Sequence, residues 1–481
     1  MSLPSCVVLG RYRPLEIAMP YRATSYFVTI VSIWIFSLIS FSAFGQTQDP
    51  SREKRRIKDF GLSLQRLKWD DKKKAAVEKR SKSKPKRNGD SDNEEVVRVE
   101  TTLVVCDILV NDSQGRFVQG LNKEDIIVTE DGQEQQVGTF SLGGSIAVPR
   151  SIVLIIDSSI NQSGFVTESV EAAKILVDGL GPRDRMAIVT DQVELLTDFT
   201  DDKKKLTEKL DSLKARPALT INSRRFGSII IWSQTGAHYS ALLATLKEVF
   251  EDRDQRPIII FQANGNEASM LQNSILPHPP LPPDNLSPGE RKKANEHYKR
   301  LKRHEELISG GREFSLDDVY NAAEKSRATI YTIIPGYRLF GLSPEQQIER
   351  ARARDMKYRS GILEATRGTR FAPHVSEAMP DWTLGWAVDC EYREQNALAF
   401  LAGITGGWAD FLEEPEQATK VYSRILSDVN RRYVVGYYPS NKQHDGKRRI
   451  IKIEVRGHPE YTVHGRSSYY ARGPEEPLTL N

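Results

Sequence analysis

Cysteine is scarce in this chain, with three in 481 residues. Cys6 falls in a segment read below as a leader, which leaves Cys106 and Cys390. A disulfide framework of the kind that staples small secreted domains is therefore excluded. One bridge between those two residues and two unpaired core thiols are both compatible with the spacing. A strong charge of one sign is also lacking, since 68 Lys/Arg stand against 64 Asp/Glu for a formal +4. Residues 52–87 alone hold 16 Lys/Arg against 5 Asp/Glu, a local +11, so the remainder is mildly acidic. The basic total describes one segment and gives no reason to expect a nucleic-acid-binding fold. The common catalytic motifs are missing as well: no HExxH, no GxSxG nucleophile elbow and no GxxxxGK[ST] phosphate loop. His297 and His304, seven apart on a charged helical stretch, read as a solvated pair.

What is present begins with an address. Arg11, Arg13 and Arg22 precede an uncharged run from Ala23 to Gln48, with Ala43 and Gly45 before a polar stretch. That is the layout of a signal peptide over residues 1–45, cleaved after Gly45, and it implies export to the periplasm, cell envelope or exterior. The alternative is an uncleaved membrane anchor, because the run approaches the ~20 residues a spanning helix needs. Residues 46–94 have too few apolar side chains to offset their ordering entropy and read as a basic disordered linker. Its positive charge suits contact with an anionic membrane surface or envelope polymer.

Order is expected from Val96. Residues 96–143 alternate and place Asp131-Gly132 between two strand-like runs, so they form an antiparallel β unit with a hairpin. Then "SIVLIID" supplies a continuous apolar run, suited to a strand buried on both faces. Helical and strand-like stretches alternate from there to the end of an α/β domain spanning 146–429. That rhythm predicts a doubly wound, mostly parallel, Rossmann-like sheet covered on both faces. Two inserts, 268–312 and 338–395, interrupt it. The second carries Trp382, Trp386 and Tyr392, which suit either a small local core or an exposed contact surface. Residues 431–472 return to strands as a C-terminal β unit, which is expected to pack with or join the first.

In an open parallel sheet the ligand crevice lies outside the carboxyl ends of the strands. "SIVLIID" delivers Asp157 to that edge, with Ser159 and Asn161 on alternate positions of the following turn. A carboxylate, a hydroxyl and an amide oxygen are hard donors for Mg²⁺, Ca²⁺ or Mn²⁺.

This turn, at the end of the first strand of an α/β domain, resembles the Asp-x-Ser-x-Ser turn of von Willebrand factor A (VWA) domains. The flanks "DILVNDSQGRFVQGLNKEDIIVTEDGQEQQVGTF" and "DVNRRYVVGYYPSNKQHDGKRRIIKIEVR" are similar to the acidobacterial VWFA-related proteins. Apart from the leader, linker and inserts, the likeness covers most of residues 96–472. The resemblance implies a metal-ion-dependent adhesion site for one divalent cation, with an open position for a carboxylate of a protein ligand. Asp157 and Ser159 match its first two positions, and Asn161 stands where the family has a second Ser. Thr235 of "SQTGAHYSALLATL" occupies the position of the family's threonine, with Gly236 adding one residue after it. Asn264 of "PIIIFQANGNE" replaces the family's aspartate, which removes a charge and weakens the cation's hold. Asp191, Asp198 and Glu267 lie in loops from which compensation could come. The implied function is an exported, non-enzymatic adhesion module. A metal-independent structural protein on the same scaffold and a hydrolase are the alternatives.

Overall fold

The computed structural model describes residues 67–70, 75–78, 103–142, 149–159, 162–214, 225–226, 229–230, 236–250, 256–308, 311–365 and 379–471. The expected leader (1–45), Asn161 and Thr235 lie outside them. Within the expected linker, β1 (Leu67–Asp70) and β2 (Ala75–Glu78) pair antiparallel.

Two four-stranded sheets form a sandwich from strands on both sides of the α/β domain. The first stretch supplies β3 (Val104–Asn111), β4 (Ile126–Glu130), β5 (Gln133–Gln135) and β6 (Val137–Leu142). Its hairpin turns at Asp131-Gly132, both with positive φ, as the Asp-Gly pair requires. The α/β domain follows: β7 (Arg150–Ile156), α1 (Ser163–Asp178), β8 (Arg185–Thr190), β9 (Glu194–Thr200) and α2 (Lys203–Lys214). Next come a minimal pair, β10 (Arg225–Phe226) and β11 (Ile229–Ile230), then α3 (His238–Glu248) and β12 (Arg256–Gln262). The domain is completed by α4 (Pro288–Ile308), α5 (Leu316–Lys325), β13 (Thr329–Pro335), α6 (Pro344–Ala365), α7 (Asp381–Ile404), β14 (Ala409–Leu412) and α8 (Ala418–Arg431). The chain returns to the sandwich through β15 (Tyr433–Tyr437), β16 (Arg448–Val455), β17 (Thr462–His464) and β18 (Ser468–Tyr470). The sandwich sheets run β17-β3-β15-β6 and β18-β16-β4-β5, so each mixes strands from before and after the α/β domain.

The central sheet runs β9-β8-β7-β12-β13-β14, parallel except for the edge strand β9. Numbered within the domain this is 3-2-1-4-5-6, the doubly wound order whose direction reverses between β7 and β12. All seven residues of β7 and all seven of β12 are buried, which accounts for their unbroken apolar runs. Ile152, Leu154 and Ile156 face α1, α2 and α8, while Val153 and Ile155 face α3, α5 and α7. Each such side chain contributes about 1.5–3 kcal/mol by burial.

The aromatic part of the second insert, with Trp382, Trp386 and Tyr392, lies on the first half of α7, a helix of 24 residues. Leu384, Val388, Gln395, Leu398 and Ala402 are buried along it at helical spacing. Polar Gln395 and Glu391 on that face obscure the period in the sequence. Trp386 Nε1 donates to Pro277 O (2.8 Å), and the Trp382 ring meets the edge of His297. The aromatics are thus local packing, although Tyr392 is 37% exposed. At its far end α7 closes with Gly406 N–H to Gly403 O and Gly407 N–H to Ala402 O. Gly406 has φ +81°, which glycine adopts without strain at this cap. A Cβ on Gly407 would sit 1.9 Å from Ile330 O, so β13 passes where only glycine fits.

Cys106 and Cys390 are both unpaired, one buried in the sandwich and the other on α7. Among the described residues no helix is long and apolar enough to cross a membrane.

Candidate functional site

Asp157 follows the last residue of β7, and its N–H donates to Gln262 O of β12 (2.9 Å). That bond fixes the aspartate at the reversal point of the sheet, where a doubly wound fold opens its crevice. Asp157 is fully buried. Its Oδ1 accepts from Ser159 N (2.9 Å), while Oδ2 has no hydrogen-bond partner. Ser159 is nearly buried, and its hydroxyl also lacks a partner.

A second carboxylate stands beside the first. Asp191 follows β8 and is fully buried. Its Oδ1 accepts from the hydroxyl (2.7 Å) and N–H (3.1 Å) of Ser158, and its Oδ2 accepts from Gln192 Nε2 (3.0 Å). Burial, and then the charge of Asp191, push the Asp157 carboxyl up to about 7. The loop entering α3 seals this pair. Ala237 N–H donates to Asp191 O (2.8 Å). A Cβ on Gly236 would lie 2.9 Å from Asp191 Oδ2 and 3.0 Å from Asp157 Oδ1. The extra glycine after Thr235 is therefore what lets the loop approach both carboxylates.

Beyond it, His238 opens α3 and is fully buried, with Nδ1 3.8 Å from Asp157 Oδ2. Neither ring nitrogen has a hydrogen-bond partner. Burial, and secondarily Arg312, lower its pKa to about 3, so the ring is neutral. Glu267, also fully buried, crosses from the β12 loop to the start of α3. It accepts from Tyr239 N–H, from Ser240 N–H (3.3 Å) and from the Ser240 hydroxyl (2.7 Å), and it pairs with Arg312 Nε (2.6 Å). Burial raises its pKa, opposed by Arg312 and by these bonds. An anion is favoured at a helix N-terminus, so Glu267 acts as the cap that locks α3 onto the β12 loop.

Asn264 lies at the same edge, after β12, and is half-buried. Its Oδ1 accepts from Asn266 N–H (3.1 Å), shaping its own loop. Asp198 sits on β9, where its carboxylate accepts from Phe199 N–H (2.8 Å). Of the described sequence candidates, the fold thus brings Asp157, Ser159 and Asn264 to one edge. It also brings Asp191 and Glu267, two of the three loop carboxylates named as compensating candidates, and adds His238. The sequence gives no local signal for His238, because its placement follows from the close approach at Gly236.

The donors fit a hard cation in part. Asp157 Oδ2 and Ser159 Oγ are buried oxygens with nothing bound to them, whereas the Asn264 and Asp191 oxygens already accept hydrogen bonds. Among the described residues no group of three or more His, Cys, Asp or Glu is disposed to hold a metal.

No protein-family model matches the chain, and no curated protein matches it. Solved structures do. The vWF domain of the type V pili tip protein Mfa5 from Porphyromonas gingivalis is 13% identical over 60% of this chain and 96% of its own, with a TM-score of 0.28. A von Willebrand factor type A protein from Catenulispora acidiphila is 9% identical over 78% of this chain and 75% of its own (TM-score 0.29). The manganese-loaded TRAP protein of Plasmodium vivax is 10% identical over 71% of this chain and 98% of its own (TM-score 0.24).

Proposed function

We propose that the chain is an exported, non-enzymatic binding module of VWA type, whose protein ligand engages the carboxyl edge of the central sheet beside Asp157. The observation that carries this reading is the pair of buried, unbonded oxygens, Asp157 Oδ2 and Ser159 Oγ, at the sheet's reversal point. Burying polar atoms without partners costs roughly 1–3 kcal/mol each, and that cost is met where a ligand supplies the missing interaction.

Asp157 and Ser159 would hold one divalent cation, Mg²⁺, Ca²⁺ or Mn²⁺, together with Thr235 and Asn161, and with Asn264 at the far side of the crevice. When bound, the cation supplies a Lewis-acidic position for a carboxylate of the protein ligand. The chain's own residues do the rest. Asp191 holds the Ser158 backbone so that the turn keeps its shape, and Gly236 allows the α3 loop to close over it. Glu267, paired with Arg312, ties the β12 loop to the start of α3. The inserts 268–312 and 338–395 border this edge and would set specificity.

Calorimetric titration of the chelator-treated protein with each of the three cations tests the reading. Saturable binding that Asp157→Ala abolishes is the expected result. Equal binding by wild type and Asp157→Ala would remove it.

The Asn264–Asn266 turn favours a second reading, a metal-independent assembly protein that uses the same edge. No heat and no thermal shift with any divalent cation would select it. The basic linker adds a further proposal, contact with an anionic membrane surface or envelope polymer, which sedimentation with anionic vesicles would test.

A further inference from the structure

We propose that His238 is a nitrogen ligand at this edge, so that the site selects Zn²⁺ or a late first-row ion over Mg²⁺ and Ca²⁺. The inference rests on the cation reading above and deepens it. His238 is fully buried, and its Nδ1 lies 3.8 Å from Asp157 Oδ2. That separation is too long for a hydrogen bond. It is a few tenths of an ångström wider than the roughly 3.4 Å that two donors span across one tetrahedral cation with bonds of about 2.0–2.2 Å, so a bound ion would draw the two groups slightly together.

Packing accounts for the faces of the ring but not for its nitrogens. Tyr239 and Phe261 lie against it, with ring centroids at 4.9 and 6.0 Å. The in-plane lone pair and N–H have no partner. A core histidine ordinarily bonds at least one nitrogen, because an unbonded buried polar group is costly. The donors left open at the edge therefore include an imidazole nitrogen beside oxygens of Asp157, Ser159, Gln162 and Asn266. Mg²⁺ and Ca²⁺ take oxygen ligands, whereas imidazole suits Zn²⁺, Cu²⁺, Ni²⁺ and Fe²⁺. The position is built rather than incidental. Ala237 N–H is fixed on Asp191 O, and Glu267 holds the next two N–H groups, so His238 lies between two anchored points.

The test uses the full chain after chelator treatment, titrated separately with Zn²⁺, Co²⁺, Mg²⁺ and Ca²⁺ by calorimetry. Zn²⁺ is expected to bind at least ~10–100-fold more tightly than Mg²⁺. His238→Asn is expected to bring the two ions within a few-fold of each other, and Asp157→Ala to remove both. The Co²⁺ complex of the wild type supplies a readout that needs no variant. Intense visible bands, as low-coordinate nitrogen-containing sites give, support the ligand. Weak octahedral bands overturn it. Mg²⁺ or Ca²⁺ binding as tightly as Zn²⁺, or unchanged Zn²⁺ affinity in His238→Asn, would also overturn the role of His238. In those cases loss of binding in Asp157→Ala would leave the cation reading standing. If no ion binds the wild type, both fall.

Discussion

The two edges of the central sheet treat buried polarity in opposite ways. At the amino edge the two central strands, β7 and β12, begin with arginines, and both are clamped. Arg150, opening β7, donates to Asp184 through its backbone N–H (2.7 Å) and Nε (2.8 Å), to Gly179 O (2.9 Å) and to Asn430 Oδ1 (2.6 Å). Burial opposes ionisation of Asp184, yet the bonds and charge of Arg150 hold its pKa below the usual range. Arg256, opening β12, pairs with Asp107 of the sandwich (2.7 Å) and donates to Val429 O (2.7 Å). Arg432 adds Nε to Asp428 (3.0 Å) and Nη1 to Gly406 O (2.6 Å), and Arg466 of the sandwich reaches Ala328 O (3.0 Å). At the carboxyl edge, in contrast, Asp157 Oδ2, Ser159 Oγ, Gln262 Nε2 and both His238 nitrogens are left unbonded. The amino edge joins two domains through charged pairs and leaves only Asp107 Oδ1 and Arg432 Nη2 unbonded within them. The carboxyl edge bonds Asp191 and Glu267 but leaves an acid, a hydroxyl and an imidazole without partners.

If that contrast is real, removing a charge should have opposite signs at the two edges. Arg256→Ala, which strands Asp107 in a buried site, should cost about 3–5 kcal/mol of unfolding free energy in urea titrations. Asp157→Asn should stabilise the cation-free protein instead, most strongly above pH 7. The sign follows from the raised pKa: the folded state favours the protonated acid. Its stabilising contribution is full below about pH 4 and is lost as pH rises to about 7. The gain from Asp157→Asn should therefore vanish in melts at pH 4, and a gain independent of pH would contradict the assignment. Gly236→Ala should cost about 1–3 kcal/mol by crowding both carboxylates, and it should also abolish any cation-dependent thermal shift. Smallest of all, Lys452→Ala on the sandwich surface, which breaks an exposed pair with Glu454 (2.8 Å), should change stability by under 1 kcal/mol.

The same contrast explains what could be read without coordinates. The apolar run of β7, the Asp131-Gly132 hairpin and the helix–strand alternation are local patterns, and each corresponds to an element of the fold. Asp157 was legible because it ends such a run. Asp191 and Glu267 were legible as candidates, but their placement, and His238 altogether, were not. Asp191 lies 34 residues away, Glu267 meets Arg312 across 45 positions, and His238 arrives only because Gly236 lacks a side chain. Nothing in their immediate sequence encodes those meetings. The amino-edge clamps were equally hidden, since Arg256 and Asp107 are separated by 149 residues. The first half of α7 was obscured for a different reason: its buried face carries Gln395 and Glu391, so apolar periodicity fails there.

The sandwich sheet that holds β15 beside β6 has a further consequence. Leu142, the last strand residue before the α/β domain, and Tyr433, the first strand residue after it, face each other across the ladder. The whole α/β domain is thus lodged between the two arms of what is otherwise a hairpin. Its points of entry and exit are neighbours, as the ends of a cassette would be. A two-residue turn would close the gap after excision, and the reverse operation would carry the cassette into any hairpin of matching spacing. Chain order makes this a domain between two fragments; pairing makes it one module hosted by another.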